Sequence, residues 1–152
     1  MELDQIDKNI LYILQLDAKI TNAALAQKIN LSPAATLERV KKLEKAEIIT
    51  NYYAQIDYAK IGFSVMAIVG VRLLRMIAEN IKLFTTTIDK INSITSCYQV
   101  IGSFDFILVV QSRDISSHQN MVIEKLYALA IVDDVKTLSV TKQFKNKPIH
   151  LV

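Results

Sequence analysis

The chain has 152 residues, of which 51% are hydrophobic and 22% are charged, a composition that excludes a disordered protein and suits one domain or two small ones. No apolar run reaches the roughly 18 residues of a membrane-spanning helix, and the acidic start lacks the basic segment of a signal peptide. Since the chain also has a single cysteine, we expect it to work in the cytoplasm without a disulfide, a metal site or a cofactor.

The net charge of +3 is too small to indicate nucleic-acid binding by itself, so the distribution of charge along the chain matters. Residues 1–60 contain eight basic and eight acidic side chains, but Arg39, Lys41, Lys42 and Lys45 lie within seven residues of each other. Only Glu44 opposes them in that stretch. Such a cluster forms either a solvated helix face or a DNA-binding patch.

The first fifty residues contain the capping signals of three short helices. Asp4 and Thr21 precede apolar residues spaced three and four apart, which is typical of N-caps followed by amphipathic helices. Asn30 tolerates the left-handed conformation that ends a helix, and Ser32-Pro33 places a cap residue and a proline at the start of the third. The short turn between the second helix, which ends near Asn30, and the third, which begins at Ser32-Pro33, predicts a helix-turn-helix. The predicted buried stripe of the third helix contains Leu37, Val40 and Leu43.

The outer side of the third helix is the predicted DNA-binding surface. Small residues at its N-terminal end let the helix enter a major groove, and basic residues further along reach phosphates. Arg39 either binds a phosphate, which we expect, or pairs with a neighbouring acid. No side chain at the helix start offers the bidentate pattern that reads one base, so the operator is not predicted. The predicted DNA-binding residues are Thr21, Asn22, Ser32, Pro33, Ala34, Ala35, Thr36, Arg39, Lys41 and Lys42.

A connector is predicted after the helices. Residues 52–56 indicate a short strand or wing, and Gly62 ends the connector. The expected boundaries are therefore residues 1–50 for the helix-turn-helix domain, 51–62 for the wing and linker, and 63–152 for a second domain.

From residue 63 onward, apolar strands alternate with amphipathic helices in the order strand, helix, strand, strand, helix, strand. This is the order of the ferredoxin-like βαββαβ fold, an α+β class in which both helices lie on one face of an antiparallel sheet. The other face needs cover, and a second copy is the simplest source, so we expect a symmetric homodimer. The predicted strands cover residues 63–74, 94–101, 104–111 and 135–144; the helices contain Ile77 to Ile91 and residues after Ser116.

The second and third strands are predicted to meet in a tight hairpin at Gly102-Ser103. Asp105 lies between Phe104 and Phe106 where the third strand begins, and an acid at such a position needs a partner or a wet pocket.

Hydroxyl groups share one face of the predicted last strand. This row is either solvated or the polar wall of a site near the dimer interface, facing the hairpin. We interpret Cys97 and Tyr98 as packing residues and His118 as a surface residue at a helix start. The hydroxyl residues are Thr137, Ser139 and Thr141.

The sequence resembles the Lrp/AsnC, or feast/famine, regulators of bacteria and archaea over nearly its whole length. Residues 3–11 are similar to the family's LDxxDxxIL start, and residues 31–33 and 38–44 are similar to its recognition helix, reading LSP and ERVKKLE. Residues 101–106, IGSFDF, are similar to its effector-domain hairpin, commonly GDxD. The resemblance implies a winged helix-turn-helix, an amino-acid-binding domain, a dimer formed through that domain and often an octamer.

Two positions depart from the family pattern. Glu47 stands where the family usually has glycine, and a left-handed glutamate there costs about 1 kcal/mol relative to glycine. Ser103 stands where the family commonly has an acid, and a hydroxyl cannot attract an ammonium as a carboxylate does. The expected effector site comprises Tyr98, Val100, Gly102, Ser103, Phe104 and Asp105, together with the strand hydroxyls of Thr137, Ser139 and Thr141.

Two other functions compete with an effector-controlled regulator of double-stranded DNA. A ferredoxin-like enzyme could use Asp105 as an acid or base, but the sequence offers no nearby histidine, cysteine or lysine partner, phosphate-binding loop or cofactor signature. An architectural protein would compact DNA without responding to a ligand. We therefore expect a regulator that is not an enzyme, and a ligand-induced change in DNA affinity separates it from the architectural alternative.

Overall fold

The computed structural model describes residues 2–149, apart from the side chain of residue 123, so His150 lies outside the described residues. The chain divides into two compact units: residues 2–56 with residues 144–149 form the first, and Asp57–Gln143 the second. Residues 144–149 thus belong with the first unit, whereas the expected boundaries include them in the second domain. Within residues 2–149, no helix is long and apolar enough to cross a membrane, and no group of three or more His, Cys, Asp or Glu could hold a metal ion.

The first unit contains three helices: α1 (Gln5–Leu16), α2 (Asn22–Lys28) and α3 (Pro33–Lys45). The predicted caps Asp4, Thr21 and Ser32 accept hydrogen bonds from the backbone N–H three residues later in each helix. Asp4 and Asp7 form a reciprocal capping box. The buried core of this unit contains Ile10, Leu11, Leu25, Ile29 and Leu43.

Helices α2 and α3 end in the same way. Asn30 and Glu47 have φ angles of 56° and 55°, so both adopt the left-handed conformation. The N–H of the residue after each one donates to the carbonyl five residues back, at 3.0 Å in both cases, which is the Schellman pattern. Although Glu47 stands where the family usually has glycine, α3 ends in the left-handed geometry that glycine usually provides.

For residues 52–56 the sequence left a short strand or a wing open, and the strand is wrong, because the strands of the described chain all belong to the sheet of the second unit. An extended segment becomes a strand only where a second segment satisfies its backbone groups.

The second unit has the predicted βαββαβ order. It consists of β1 (Val65–Leu73), α4 (Ala78–Ile88), β2 (Ile94–Gln99), β3 (Phe106–Ser112), α5 (Ile115–Met121) and β4 (Val132–Ser139). The sheet is antiparallel with the strand order β2-β3-β1-β4, so β2 and β4 are its edges. The predicted ferredoxin-like α+β fold is confirmed.

The strand limits differ from the predicted ones because lateral pairing determines them. β4 begins at Val132, which pairs with Leu73, and ends at Ser139, which pairs with Ala67. β2 ends at Gln99 and β3 begins at Phe106, so residues 100–105 form a longer loop instead of the predicted tight hairpin.

Both helices cover the same face of the sheet. Phe84 of α4 and Met121 of α5 are buried in one core with alternate residues of β1 and β3. The opposite face, called here the open face, has no helix over it in the described chain. The residues that the register assigns to this face include Met66, Ile68, Gly70, Arg72, Tyr98, Ile107, Val109, Gln111, Asp134, Lys136 and Leu138.

Helix α5 continues into a π-helical turn, Val122–Tyr127, that reaches the edge strand β4. The Tyr127 hydroxyl donates to the Val135 carbonyl oxygen at 3.1 Å and accepts from the Val135 N–H at 3.3 Å. One side chain thus satisfies both backbone groups of an edge residue.

Candidate DNA-binding and effector sites

The N-terminal ends of α2 and α3 lie together. The Asn22 Nδ2 group donates to the Pro33 carbonyl oxygen at 2.7 Å, so the starts of the two helices are joined directly. Ser32, Ala34 and Ala35 are exposed at the start of α3, as predicted for the part that approaches DNA. The geometry brings Thr21 and Asn22 next to this surface, although the Asn22 amide already has a partner.

Thr36 does not belong to this surface. Its side chain has no exposed area, and its hydroxyl donates to the Ser32 carbonyl oxygen at 2.9 Å. Leu37, which the spacing predicted to be buried, is instead 43% exposed. Leu43 is buried and Val40 packs against the same core, as predicted, so Leu37 alone departs from the predicted stripe. The burial of Thr36 excludes it from the candidate DNA contacts.

Arg39 joins α3 to α1. Its Nη1 group contacts the carboxylates of Asp7 at 2.7 Å and Asp4 at 2.8 Å, and Asp7 is buried. The hydrogen bond with Asp7, and to a smaller extent that with Asp4, raises the pKa of Arg39 above its ordinary value. The structure thus shows the pairing with acids that the sequence left as the alternative to a phosphate contact. Lys41 and Lys42 are exposed on the same helix.

The loop of residues 100–105 is attached to the sheet through its last residue. The Asp105 N–H donates to the Val71 carbonyl oxygen at 3.0 Å, and its Oδ2 accepts the Leu73 N–H at 2.8 Å. The Val100 N–H donates to the Asp105 carbonyl oxygen at 2.9 Å and closes the loop. Asp105 thus has the partner that its position required, and that partner is the backbone of β1.

The exposed part of this loop has a backbone that suits glycine. Gly102 has a φ of 151°, a conformation that L residues rarely adopt, and both Gly102 and Ser103 are exposed. With no side chain at Gly102, the backbone groups of the loop are open to a ligand.

Phe104 folds back over the open face of the sheet. A Cβ atom added to Gly70 would lie 2.7 Å from the Phe104 ring, closer than any side-chain carbon can approach. Strand β1 therefore needs glycine at this position so that the loop can anchor its aromatic ring.

A cluster of charges lies at the same end of the sheet. The Arg72 Nε group donates to the Asp133 carboxylate at 2.7 Å, and Lys136 lies 3.8 Å from Asp134. The pKa of Arg72 is raised, chiefly by the hydrogen bond with Asp133 and further by the charges of Asp134 and Asp105. Three carboxylates and one guanidinium thus lie near the start of β3.

The hydroxyl row of the last strand is not brought together with this loop. Thr137 and Ser139 pair with Val69 and Ala67, which belong to the helix-covered core face. Thr141 lies beyond the end of β4. The loop joins β2 to β3, whereas β4 is the opposite edge of the sheet, so within one subunit these hydroxyls form no wall facing Gly102.

His118 is not the predicted surface residue, because it is only 6% exposed between α5 and β4. Its Nε2 lies 3.3 Å from the Thr137 hydroxyl, and Nδ1 has no hydrogen-bond partner among the described residues. Burial lowers the pKa of His118. The predicted packing residues Cys97 and Tyr98 are instead exposed.

Comparison with known proteins connects both units to described families. Residues 3–50 match the family "winged helix-turn-helix DNA-binding", and residues 66–149, more than half of the chain, match the "Lrp/AsnC ligand binding domain". The chain belongs to the Lrp/AsnC family.

Curated Lrp/AsnC relatives match over almost the full chain. The transcriptional regulator AzlB of Bacillus subtilis (strain 168) is 37% identical over 97% of this chain and 96% of its own. The leucine-responsive regulatory protein of Escherichia coli (strain K12) is 34% identical, covering 95% of this chain and 88% of its own. A crystal structure of a transcriptional regulator from Neisseria meningitidis in complex with L-Met matches with a TM-score of 0.91 and 27% identity, over 96% of this chain and 94% of that one. The chain is thus a DNA-binding transcriptional regulator of the Lrp/AsnC family and not an enzyme.

Sequence reasoning missed two residues near the candidate effector loop of this Lrp/AsnC chain. Gly70 lies in a strand, where its only signal was an interruption of an apolar run. Arg72 is a single charge near the end of that strand, and the sequence gives it no partner. Both matter because of contacts with residues more than thirty positions away in the sequence, and spacing alone does not reveal such contacts.

Sequence reasoning also missed a cavity of about 390 Å³ between α4 and the edge strand β2. It has an apolar floor and a rim of hydroxyl, amide and carboxylate groups. The lining residues include Thr85, Ile88, Asp89, Ser96, Gln99 and Phe106.

Proposed function

We propose that the chain is a cytoplasmic regulator whose DNA affinity or assembly changes when a small amino acid or related metabolite binds beside the loop of residues 100–105. The main support is the charge arrangement at that end of the sheet. Arg72 carries a guanidinium among the carboxylates of Asp105, Asp133 and Asp134. An amino acid presents one carboxylate and one ammonium, so a site with charges of both signs complements it.

The loop provides the second part of the proposed site. The backbone groups of Gly102 and Ser103 are the proposed partners of the ligand's carboxylate, and Asp105 attracts its ammonium. The hydrogen bond from Leu73 to Asp105 orients that carboxylate before a ligand arrives. Tyr98, Val100 and Phe104 remain proposed lining residues.

The relatives support an amino acid as the ligand class. One is named for its response to leucine, and a structural neighbour was crystallised with L-Met. Ser103, where the family commonly has an acid, removes one negative charge from the site, so we expect binding to be weaker or to favour a different metabolite.

We further propose that the regulator is a homodimer formed through the open face, with assembly into an octamer as a further step. Leu138 is 65% exposed and Tyr98 is 57% exposed there, beside the partly exposed Ile68, Ile107 and Val109. A second copy of the sheet would cover these exposed apolar side chains.

For DNA recognition, we propose that the start of α3 enters the major groove while the exposed lysines of the same helix contact phosphates. The residues retained for this surface are Thr21, Asn22, Ser32, Pro33, Ala34, Ala35, Lys41 and Lys42.

Calorimetry against each of the twenty amino acids, followed by DNA-affinity measurements with any that binds, tests the effector site. We expect Asp105→Asn to abolish the ligand's effect, because the amide removes the negative charge but can still accept the Leu73 N–H. Dimerisation, measured by sedimentation equilibrium, and ligand-free DNA binding should persist. Glu79→Gln, which removes an exposed carboxylate elsewhere in the same unit, serves as the control.

Absence of heat and of any change in DNA affinity with all twenty amino acids would contradict an amino-acid effector and favour the architectural alternative. An unchanged response in Asp105→Asn would exclude that carboxylate from the site. A folded, fully monomeric protein at micromolar concentration would contradict the dimer.

A further inference from the structure

The C-terminal part of the sequence is basic. Asp134 is the last acidic residue of the sequence, and Lys136, Lys142, Lys145 and Lys147 follow it. A segment with lysines and no acidic residue of its own is suited to an oppositely charged partner.

The structure assigns the end of this basic run to the DNA-binding unit. Residues 144–149 belong with residues 2–56, although they follow the second unit in the sequence. The side chains of Lys145 and Lys147 are exposed, and within residues 2–149 neither forms an ion pair. Their charges are thus available to a partner of the first unit.

The helix-turn-helix by itself has little charge with which to attract DNA. Residues 2–56 contain seven basic and seven acidic side chains. Arg39, the first residue of the basic cluster, is already engaged by Asp4 and Asp7. Duplex DNA carries one negative charge about every 1.7 Å along its axis, and phosphate neutralisation supplies most of the affinity that is independent of sequence. Adding residues 144–149 changes the net charge of the unit from zero to +2.

We propose that Lys145 and Lys147 form a second contact with the phosphate backbone of duplex DNA, in addition to helix α3. The partner is DNA, since the same unit contains the helix-turn-helix. The contact is independent of base sequence, because an ammonium on a flexible stem binds phosphate as a point charge.

The test is the salt dependence of DNA binding by the full chain. Fluorescence anisotropy with a random-sequence duplex of about four helical turns, roughly 40 base pairs, gives the slope of log affinity against log salt. The double substitution Lys145→Gln with Lys147→Gln should flatten this slope by about two per bound subunit, because each phosphate contact contributes about 0.9. Affinity at low salt should fall by at least tenfold.

Two further variants isolate the effect. Lys82→Gln with Lys90→Gln removes the same charge from exposed positions of the second unit, and its slope should match the parent. Lys145→Arg with Lys147→Arg keeps the charge and should restore both slope and affinity. Circular dichroism and melting temperature establish that each variant is folded.

An identical slope in the Gln variant and the Lys82/Lys90 control would overturn the proposal, as would a parent protein whose binding does not depend on salt. Loss of affinity that the Arg variant does not restore would also overturn it, because that result would show a structural role for the segment.

Discussion

The ring of Phe104 occupies the space above Gly70 that a side chain would fill: a Cβ atom on Gly70 would be 2.7 Å from the ring. The two residues connect the loop proposed to bind the effector with the open face proposed to form the dimer. Any displacement of the ring changes both surfaces at once.

Gly70→Ala should therefore destabilise the protein by about 1–3 kcal/mol, the usual cost of overpacking, and weaken any effector response. Urea unfolding measures the first effect. In a Phe104→Ala background the same substitution should cost much less, because the ring that clashes is gone. Equal costs in both backgrounds would show that the contact does not constrain the loop.

Glu47→Gly should stabilise the first unit by about 1 kcal/mol, because Glu47 has a φ of 55° and glycine adopts this conformation without strain. Asn30→Gly is the matched control at the equivalent helix end. Its gain should be smaller, since asparagine tolerates this conformation better than glutamate. Denaturant unfolding compares the two, and a loss of stability in Glu47→Gly would contradict the prediction.

Stability should decrease as the pH falls through the range in which His118 would be protonated in the unfolded chain. Burial lowers the pKa of His118 in the folded protein below its ordinary value of 6.5. At a pH between the lowered pKa and 6.5, the unfolded chain binds a proton at His118 that the folded chain does not. The free energy of unfolding is therefore at its full value above pH 6.5 and decreases as the pH falls from 6.5 through the lowered pKa.

The melting temperature should thus fall more in the parent than in His118→Gln between about pH 7.5 and about pH 5.5. Parallel pH dependences would mean that His118 becomes protonated in the folded protein as easily as in the unfolded one.

Arg39→Ala should lower the melting temperature of the first unit by several degrees, because it leaves the buried Asp7 without its cation. The salt slope of DNA binding should change little, since the charge of Arg39 is already matched by Asp4 and Asp7. Lys41→Ala, the control on the exposed side of the same helix, should flatten the slope by about one if it meets a phosphate. A slope flattened equally by Arg39→Ala would show that DNA competes with the two aspartates for Arg39.

The sequence predicts those structural features that depend on interactions between residues close together in the chain. Asp4, Thr21 and Ser32 cap their helices because a side-chain oxygen and an N–H three residues later are close whatever surrounds them. The ferredoxin-like fold followed from the succession of strands and helices along the chain.

The parts that sequence reasoning did not predict depend on lateral or distant contacts. Thr36 is buried and Leu37 is exposed; the hydroxyl of Thr36 can be buried because it donates to the Ser32 carbonyl oxygen, which a spacing rule does not consider. His118 is buried because α5 packs against β4, nineteen residues away at Thr137. The candidate effector site was located by the resemblance at its loop, but Arg72 and Gly70 entered it only through the folded sheet.

The two hydrogen bonds between Tyr127 and Val135 limit how copies of this chain join. An edge strand normally offers its outward N–H and C=O groups to any extended chain, and this is the usual route to uncontrolled sheet growth. At Val135 both groups are already occupied by a hydroxyl from the same subunit. A neighbour cannot extend the sheet past β4 at this point without first displacing Tyr127. The proposed face-to-face dimer is compatible with this restriction, because stacking of faces closes after two copies, whereas pairing of edges has no natural end.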